Sequence, residues 1–147
     1  GGPKLDKLAQ EGNPFAFKLP ESRVDGYNFS FSGLKTAVLR LVKSFDGKEM
    51  PVADICASFQ ETVSSTLLHK LKRALQENNY NQVVIAGGVA ANSEIRKKIF
   101  ALQDDGYKVF APPMKYCTDN AAMVASCAYF NTNTFDDVNV EVFSRVK

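Results

Sequence analysis

Residues 83–92 read Val83-Val84-Ile85-Ala86-Gly87-Gly88-Val89-Ala90-Ala91-Asn92, and the architecture follows from this stretch. A short apolar run, bounded by Asn81 on one side and two glycines on the other, predicts a buried strand. The small residues after it lead into a helix over 93–102. Strand, glycine turn and helix in that order form the unit of an α/β sheet. Glycines at the carboxyl end of such a strand let a ligand reach the backbone, because no side chain stands in the way. The helix N-terminus behind them offers free N–H groups and a partial positive charge. Open α/β sheets hold their ligands at these strand ends. Asn92 adds an amide with both donors and acceptors, suited to a ribose or a base edge. A plain strand–turn–helix connection with Asn92 as N-cap accounts for the same residues equally well. The spacing is not GxGxxG, so a Rossmann dinucleotide site has no support.

Moving toward the C-terminus, Tyr107-Lys108-Val109-Phe110 predicts a second strand, broken by Pro112-Pro113. Thr118 or Asp119 then caps a helix of small residues running to about residue 129. A carboxylate at Asp119 can cap that helix, bind a hard cation, or do both. Residues 138–146 read as extended or loosely attached.

Moving the other way, Pro51 and Asp54 open the clearest helix of the chain. Its apolar residues Ile55, Phe59, Val63, Leu67, Leu71 and Leu75 recur every four positions and draw one stripe. It ends at Asn78-Asn79. His69, the single histidine, falls roughly 200° from the stripe residue Leu67 and so faces solvent. That position makes it a poor metal ligand and removes any Ser–His–Asp or Cys–His triad. Before a polar loop at 45–50 comes a helix over 34–43. Ahead of it, Tyr27-Asn28-Phe29-Ser30-Phe31 alternates aromatic and polar residues and predicts a half-buried strand. Lys35, just past the Ser32-Gly33 turn, can meet a phosphate or simply be solvated. The first 28 residues are rich in Gly, Pro and charge. Leu5, Leu8 and Ala9 fit one short helical face there, and the prolines exclude regular helix over 14–20. Gly2 and Asp6 combine a glycine turn with a carboxylate that can grip a sugar hydroxyl. The whole order predicts an α/β fold with a partly parallel sheet.

Composition narrows the class. A chain of 147 residues can hold one domain with its own core. Lys+Arg 18 against Asp+Glu 16 leaves a net charge of +2, which neither demands nor excludes a nucleic-acid partner. Cys56, Cys117 and Cys127 are scattered with no CxxC pair, so neither a zinc knuckle nor a disulfide framework is indicated. Reduced thiols in a cytoplasmic protein are the simplest account. No apolar stretch approaches a membrane span, so no membrane is expected as a partner.

Five segments in order carry a resemblance to a known family. Gly1-Gly2-Pro3-Lys4-Leu5-Asp6-Lys7-Leu8-Ala9 is similar to GGPxxDxLA. Residues 29–36 are similar to FSFSGLKT, and 54–60 to a D[IL]AASFQ helix. Residues 86–96 are similar to AGGVAANxxLR, with Ile95 in the usual Leu position, and 111–123 to a PP..YCTDNAAM stretch. The chain resembles the TsaD family, the tRNA N6-adenosine threonylcarbamoyltransferases once described as O-sialoglycoprotein endopeptidases.

The resemblance implies an actin-like ATPase (ribonuclease H-like) fold of two lobes, of which this chain is mainly the second. It implies a segment at 1–28 joining from the first lobe, the second-lobe domain at 29–135, and a tail at 136–147. It implies transfer of a threonylcarbamoyl group from threonylcarbamoyl-AMP to N6 of the adenosine beside the tRNA anticodon. Gly2, Asp6 and Asn92 would contact the adenosine part of ATP or of the adenylate, and Gly87 and Gly88 would supply close backbone. Asp119 would be one ligand of a divalent metal, iron(II) before zinc. The family's other metal ligands form an HxxxH pattern in the first lobe, and this chain has none. The chain alone is therefore expected to be inactive. TsaB-like and TsaE-like accessory proteins and tRNA are the implied partners. The older peptidase label needs HExxH-like spacing, which is missing. A non-catalytic lobe for nucleotide sensing or docking is the other alternative.

Overall fold

The computed structural model describes residues 1–22 and 24–131. The expected tail and the extended segment at 138–146 lie outside the described residues.

The longest element is helix α3, Val52–Glu77, with α1 at Gly2–Ala9 and α2 at Ser32–Lys43 before it. Pro51 stands at the N-cap of α3, where its missing N–H does no harm, and Asp54 places a carboxylate in the first turn. Asn78 and Asn79 end it, Asn79 with a positive φ of 54°. The every-fourth stripe is only part of what α3 buries. Ile55 and Leu75 at its ends are buried, and so are Ser58, Thr62 and Thr66 beside the stripe. Thr62 and Thr66 donate their hydroxyls to the carbonyls of Ser58 and Thr62, one turn back, at 2.8 and 2.7 Å. That is how a hydroxyl tolerates the inside of a helix contact.

The segment after α1 is clipped to the first two turns of α3. Asn13 N donates to Asp54 Oδ1 at 2.7 Å, and Phe17 N to Ser58 Oγ at 3.1 Å. Gly12 passes so close that an added Cβ would stand 2.2 Å from the Ala53 carbonyl oxygen.

Strand β1, Gln82–Val84, pairs in parallel with β2, Lys108–Phe110, in the register Val83 to Val109. Between them run a 3-10 turn at Gly88–Ala91, helix α4 at Ser93–Phe100 and a 3-10 turn at Ala101–Gln103. Val83 and Val109 face the helices and join Leu75, Ile95, Ile99 and Leu102 in one buried cluster. Burying each large aliphatic side chain contributes roughly 1.5–3 kcal/mol. The predicted strand at 83–86 is shorter than expected and is not buried on both faces. Val84 is 73% exposed and Phe110 50%; in the two-stranded sheet they alternate with Val83 and Val109 and point away from the cluster those two join.

Two further expectations are corrected. Residues 27–31 form no strand; they are a loop, all five exposed, leading straight into α2. An aromatic–polar alternation becomes a strand only with a partner ladder, and α3 instead supplies single-point anchors. Lys70 Nζ donates to the carbonyls of Val24, Gly26 and Asn28, and Tyr27 Oη donates to Glu77 Oε2 at 2.6 Å. Phe29 and Phe31 stack on each other at 6.0 Å. The last described helix, α5 at Ala121–Phe130, is capped by Asn120 rather than by Thr118 or Asp119, its Oδ1 accepting from Met123 N at 2.9 Å. The capping side chain sits three residues before the amide it serves, and only Asn120 is so placed. None of the residues of α5 is buried. No helix among the described residues is long and apolar enough to cross a membrane.

Candidate functional site

The carboxyl end of β1 delivers the chain to Gly87, whose φ of +86° lies in the left-handed region that favours glycine. Gly88–Ala91 makes one 3-10 turn, and Asn92 then caps α4, its Oδ1 accepting from Ile95 N at 3.0 Å. The N-cap reading of Asn92 is therefore correct as to its backbone role. Its Nδ2 donates twice, to Asp6 Oδ1 at 3.2 Å and to Gln60 Oε1 at 2.9 Å. Asp6 also accepts from Ser93 N at 3.2 Å and Ser93 Oγ at 2.7 Å. An anionic side chain is well placed at a helix N-terminus, where N–H groups and the helix dipole favour negative charge.

These contacts frame one cavity of about 630 Å³. Gly2, Asp6, Gly88 and Asn92 all line it, although they come from two regions more than eighty residues apart. Leu5 and Pro3 from α1, Phe59 and Val63 from α3, and Val89 and Met114 from the loops make its walls largely apolar. An added Cβ on Gly2 or Gly88 would meet no atom within 4 Å. The protein's own packing therefore does not require glycine at either place. Asp6 has three acceptances on two oxygens, which leaves one acceptor position of its four unused.

Gly87 lies outside the lining and shapes the turn instead. Asp119 is exposed ahead of the cap of α5 and does not line the cavity. Lys35 is exposed in the first turn of α2, away from it. His69 is exposed as expected, its Nδ1 3.6 Å from Glu21 Oε2. A second, shallower cleft of about 430 Å³ lies between Leu67 and Leu71 of α3 and Val84 and Ile85, with Tyr27 and Phe29 at its rim. None of the sequence-derived site residues lines it.

Gln60 and Ser93 are site residues that pattern reading did not single out. Gln60 stands next to a stripe residue inside the FQ motif, and a glutamine beside an apolar stripe carries no signal of its own. Ser93 follows an N-cap, where a serine is unremarkable.

Beside the cavity, Lys98 of α4 donates to Glu61 Oε1 at 2.6 Å and to Ser65 Oγ at 2.8 Å. Burial alone would push the Glu61 carboxyl up. The hydrogen bonds from Lys98 and Ser65 and the charge of Lys98 outweigh it and hold Glu61 below its usual value.

Among the described residues no three histidine, cysteine or carboxylate side chains are grouped so as to hold an ion. Asp119 can offer one carboxylate, and one ligand makes no cage.

The family model for TsaD, tRNA N6-adenosine threonylcarbamoyltransferase, matches residues 1–126. A protein of that name from Fervidobacterium nodosum is 49% identical over 132 residues, covering 85% of this chain. One from Christiangramia forsetii is 49% identical over 156 aligned positions and covers all of it, and one from Thermosipho africanus is 50% identical and covers 88%. The alignments take in 39%, 46% and 40% of those relatives' lengths, so the chain spans less than half of each. With the motif residues of α1 and of the β1–α4 turn meeting at one cavity, and the family model running through nearly all the described residues, the chain belongs to the TsaD family of tRNA N6-adenosine threonylcarbamoyltransferases.

Proposed function

We propose that this chain forms part of an enzyme that transfers a threonylcarbamoyl group from threonylcarbamoyl-AMP to N6 of the adenosine next to the tRNA anticodon. The observation that carries the reading is the convergence of Gly2, Asp6, Gly88 and Asn92 on one apolar-walled cavity in a member of this family. In it the chain is mainly the second lobe of an actin-like fold.

The donor is already activated as a mixed anhydride. The N6 amine attacks the carbamoyl carbon, a C–N bond forms, the C–O bond to the phosphate breaks, AMP leaves, and the amine proton passes to solvent. Such a step asks the protein chiefly for positioning. The cavity of this chain would hold the adenosine part of the donor. Its apolar walls would exclude water, the free acceptor position of Asp6 would take a sugar hydroxyl, and the bare backbone of Gly2 and Gly88 would allow close approach. A divalent metal, iron(II) before zinc, would supply Lewis-acid chemistry when bound. The described residues do not build its site, and Asp119 would contribute one ligand among others from outside them. TsaB-like and TsaE-like proteins would be the accessory partners, and the cytoplasm the compartment.

The test assays the complete protein with tRNA, ATP, threonine, bicarbonate and the accessory proteins, and reads modified nucleosides by mass spectrometry. The 147-residue chain is assayed in parallel. Modified adenosine from the complete protein and none from the chain is expected. No modification from the complete protein, with the accessory proteins shown active on a known relative, would reject the transferase and leave a nucleotide-binding lobe.

A further inference from the structure

The Asn92 carboxamide has one orientation open to it. Its Oδ1 accepts from Ile95 N, and a backbone N–H cannot become an acceptor. Nδ2 must therefore point the other way, where it donates to Asp6 and to Gln60 Oε1. That fixes Gln60 in turn, because the flipped amide would set two NH2 groups against each other. Gln60 Nε2 is thus turned away from Asn92.

Gln60 is only 7% exposed and lines the cavity. Its Nε2 has no protein partner among the described residues. No fully buried side-chain nitrogen or oxygen among them is left unpaired, so this nitrogen keeps some accessible surface, and the cavity is the space that Gln60 lines. Both donors of Asn92 are engaged, Asp6 accepts, and no cationic side chain among the described residues lines the space. An amide donor held in an apolar wall calls for an acceptor from whatever fills the cavity. A phosphate there would face Asp6 with no positive charge to balance it. A flat ring with neutral ring-nitrogen acceptors suits both the walls and the donor.

We infer that Gln60 reads the base of the bound nucleotide: Nε2 donates to a ring nitrogen of adenine, and the chain Ile95 N, Asn92, Gln60 sets its direction. The inference rests on the adenylate reading of the cavity and adds the residue that would select the base.

The experiment is ATP titration of the complete protein by calorimetry, for the natural sequence and for Gln60→Glu. The substitution keeps an oxygen for Asn92 Nδ2 and replaces the cavity donor with an acceptor. ATP affinity is expected to fall about 10- to 100-fold, as when a binding site's hydrogen-bond partner is removed. A purely structural Gln60 would leave it unchanged. Alongside, 1-deaza, 3-deaza and 7-deaza ATP are titrated into the natural protein, and one is expected to lose affinity by a similar factor and to be indifferent to Gln60→Glu. Should the variant fold poorly, the analogue series decides alone. Unchanged ATP affinity in a folded Gln60→Glu, or equal binding of ATP and all three analogues by the natural protein, overturns the inference. If the natural protein meanwhile binds ATP and modifies tRNA, only the inference falls; if it binds no adenine nucleotide, the adenylate reading falls with it.

Discussion

Asp6 and Asn92 are 86 residues apart in the chain, yet Asn92 Nδ2 donates to Asp6 Oδ1 at 3.2 Å. The bond closes the space between α1 and the start of α4, and the cavity lies within that closure. Because Asn92 also caps α4, one side chain fixes a helix end and a tertiary junction together. A change in its charge should therefore be felt in stability.

Asn92→Asp keeps an oxygen for the cap but sets a second carboxylate against Asp6. Like charges at this spacing raise one carboxyl and destabilise the ionised pair. The variant should lose about 1–3 kcal/mol at pH 7.5, where the NH2 donor is also missing. Part should return as the pH falls toward 5 and one carboxyl takes up a proton. Thermal melts at both pH values measure this; equal melting of both proteins at pH 7.5 would show the contact to be inconsequential.

The three glycines of the site should separate by substitution to alanine. Gly87→Ala forces an alanine to φ 86° and ψ 173°, a conformation that essentially only glycine adopts, and should cost about 1–3 kcal/mol. Gly2→Ala and Gly88→Ala meet open space and should melt within about 0.5 kcal/mol of the natural protein. Their effect should appear in nucleotide binding by the complete protein, where the methyl occupies room for the ligand. Undiminished binding by both would remove the close-approach argument.

Gly12→Ala tests the junction between the segment after α1 and α3. The methyl would collide with the Ala53 carbonyl, a backbone atom that cannot rotate away. Overpacking of this kind costs about 1–3 kcal/mol. Urea denaturation should show a lower midpoint with the slope kept; an unchanged midpoint would mean the loop shifts freely.

Lys98→Met removes the partner of Glu61 across the α3–α4 contact. The loss should be about 1.5–3 kcal/mol at neutral pH, the range for hydrogen bonds to charged groups. The Glu61 carboxyl is lowered in the folded state, so its contribution is fully present above its unfolded value, about 4.3. It is lost as the pH falls through the lower folded value. The gap between natural and variant proteins should therefore narrow below about pH 4. A gap that stays constant into acid would assign the loss to packing of the lysine stem.

Local chemistry was legible wherever the signal lay within one turn or one strand. The stripe from Ile55 to Leu75 located α3, and Asn78-Asn79 its end. The apolar run before Gly87 located β1, and Asn92 was readable as a cap. The aromatic alternation at 27–31 misled, because alternation describes a strand only when a partner strand exists. Lys70 and Glu77 of α3 hold that loop instead. Asp119 as the cap of α5 failed by a single residue, since capping depends on backbone angles at the cap that composition does not encode.

The sequence by itself determined the α/β class, the helices and strands of the β1–α4–β2 unit, and the family, since each rests on contiguous residues and their spacing. Only the tertiary structure decided which polar groups remain available. Asn92 was legible as a donor and proves to have both donors engaged, while Gln60, unmarked in the sequence, lines the cavity with its NH2 unpaired among the described residues. Hydrogen-bond capacity belongs to a residue, but its use is set by whichever distant groups packing brings within 3 Å or so. For Asn92 those are Asp6, 86 residues earlier in the chain, and Gln60, on a different helix.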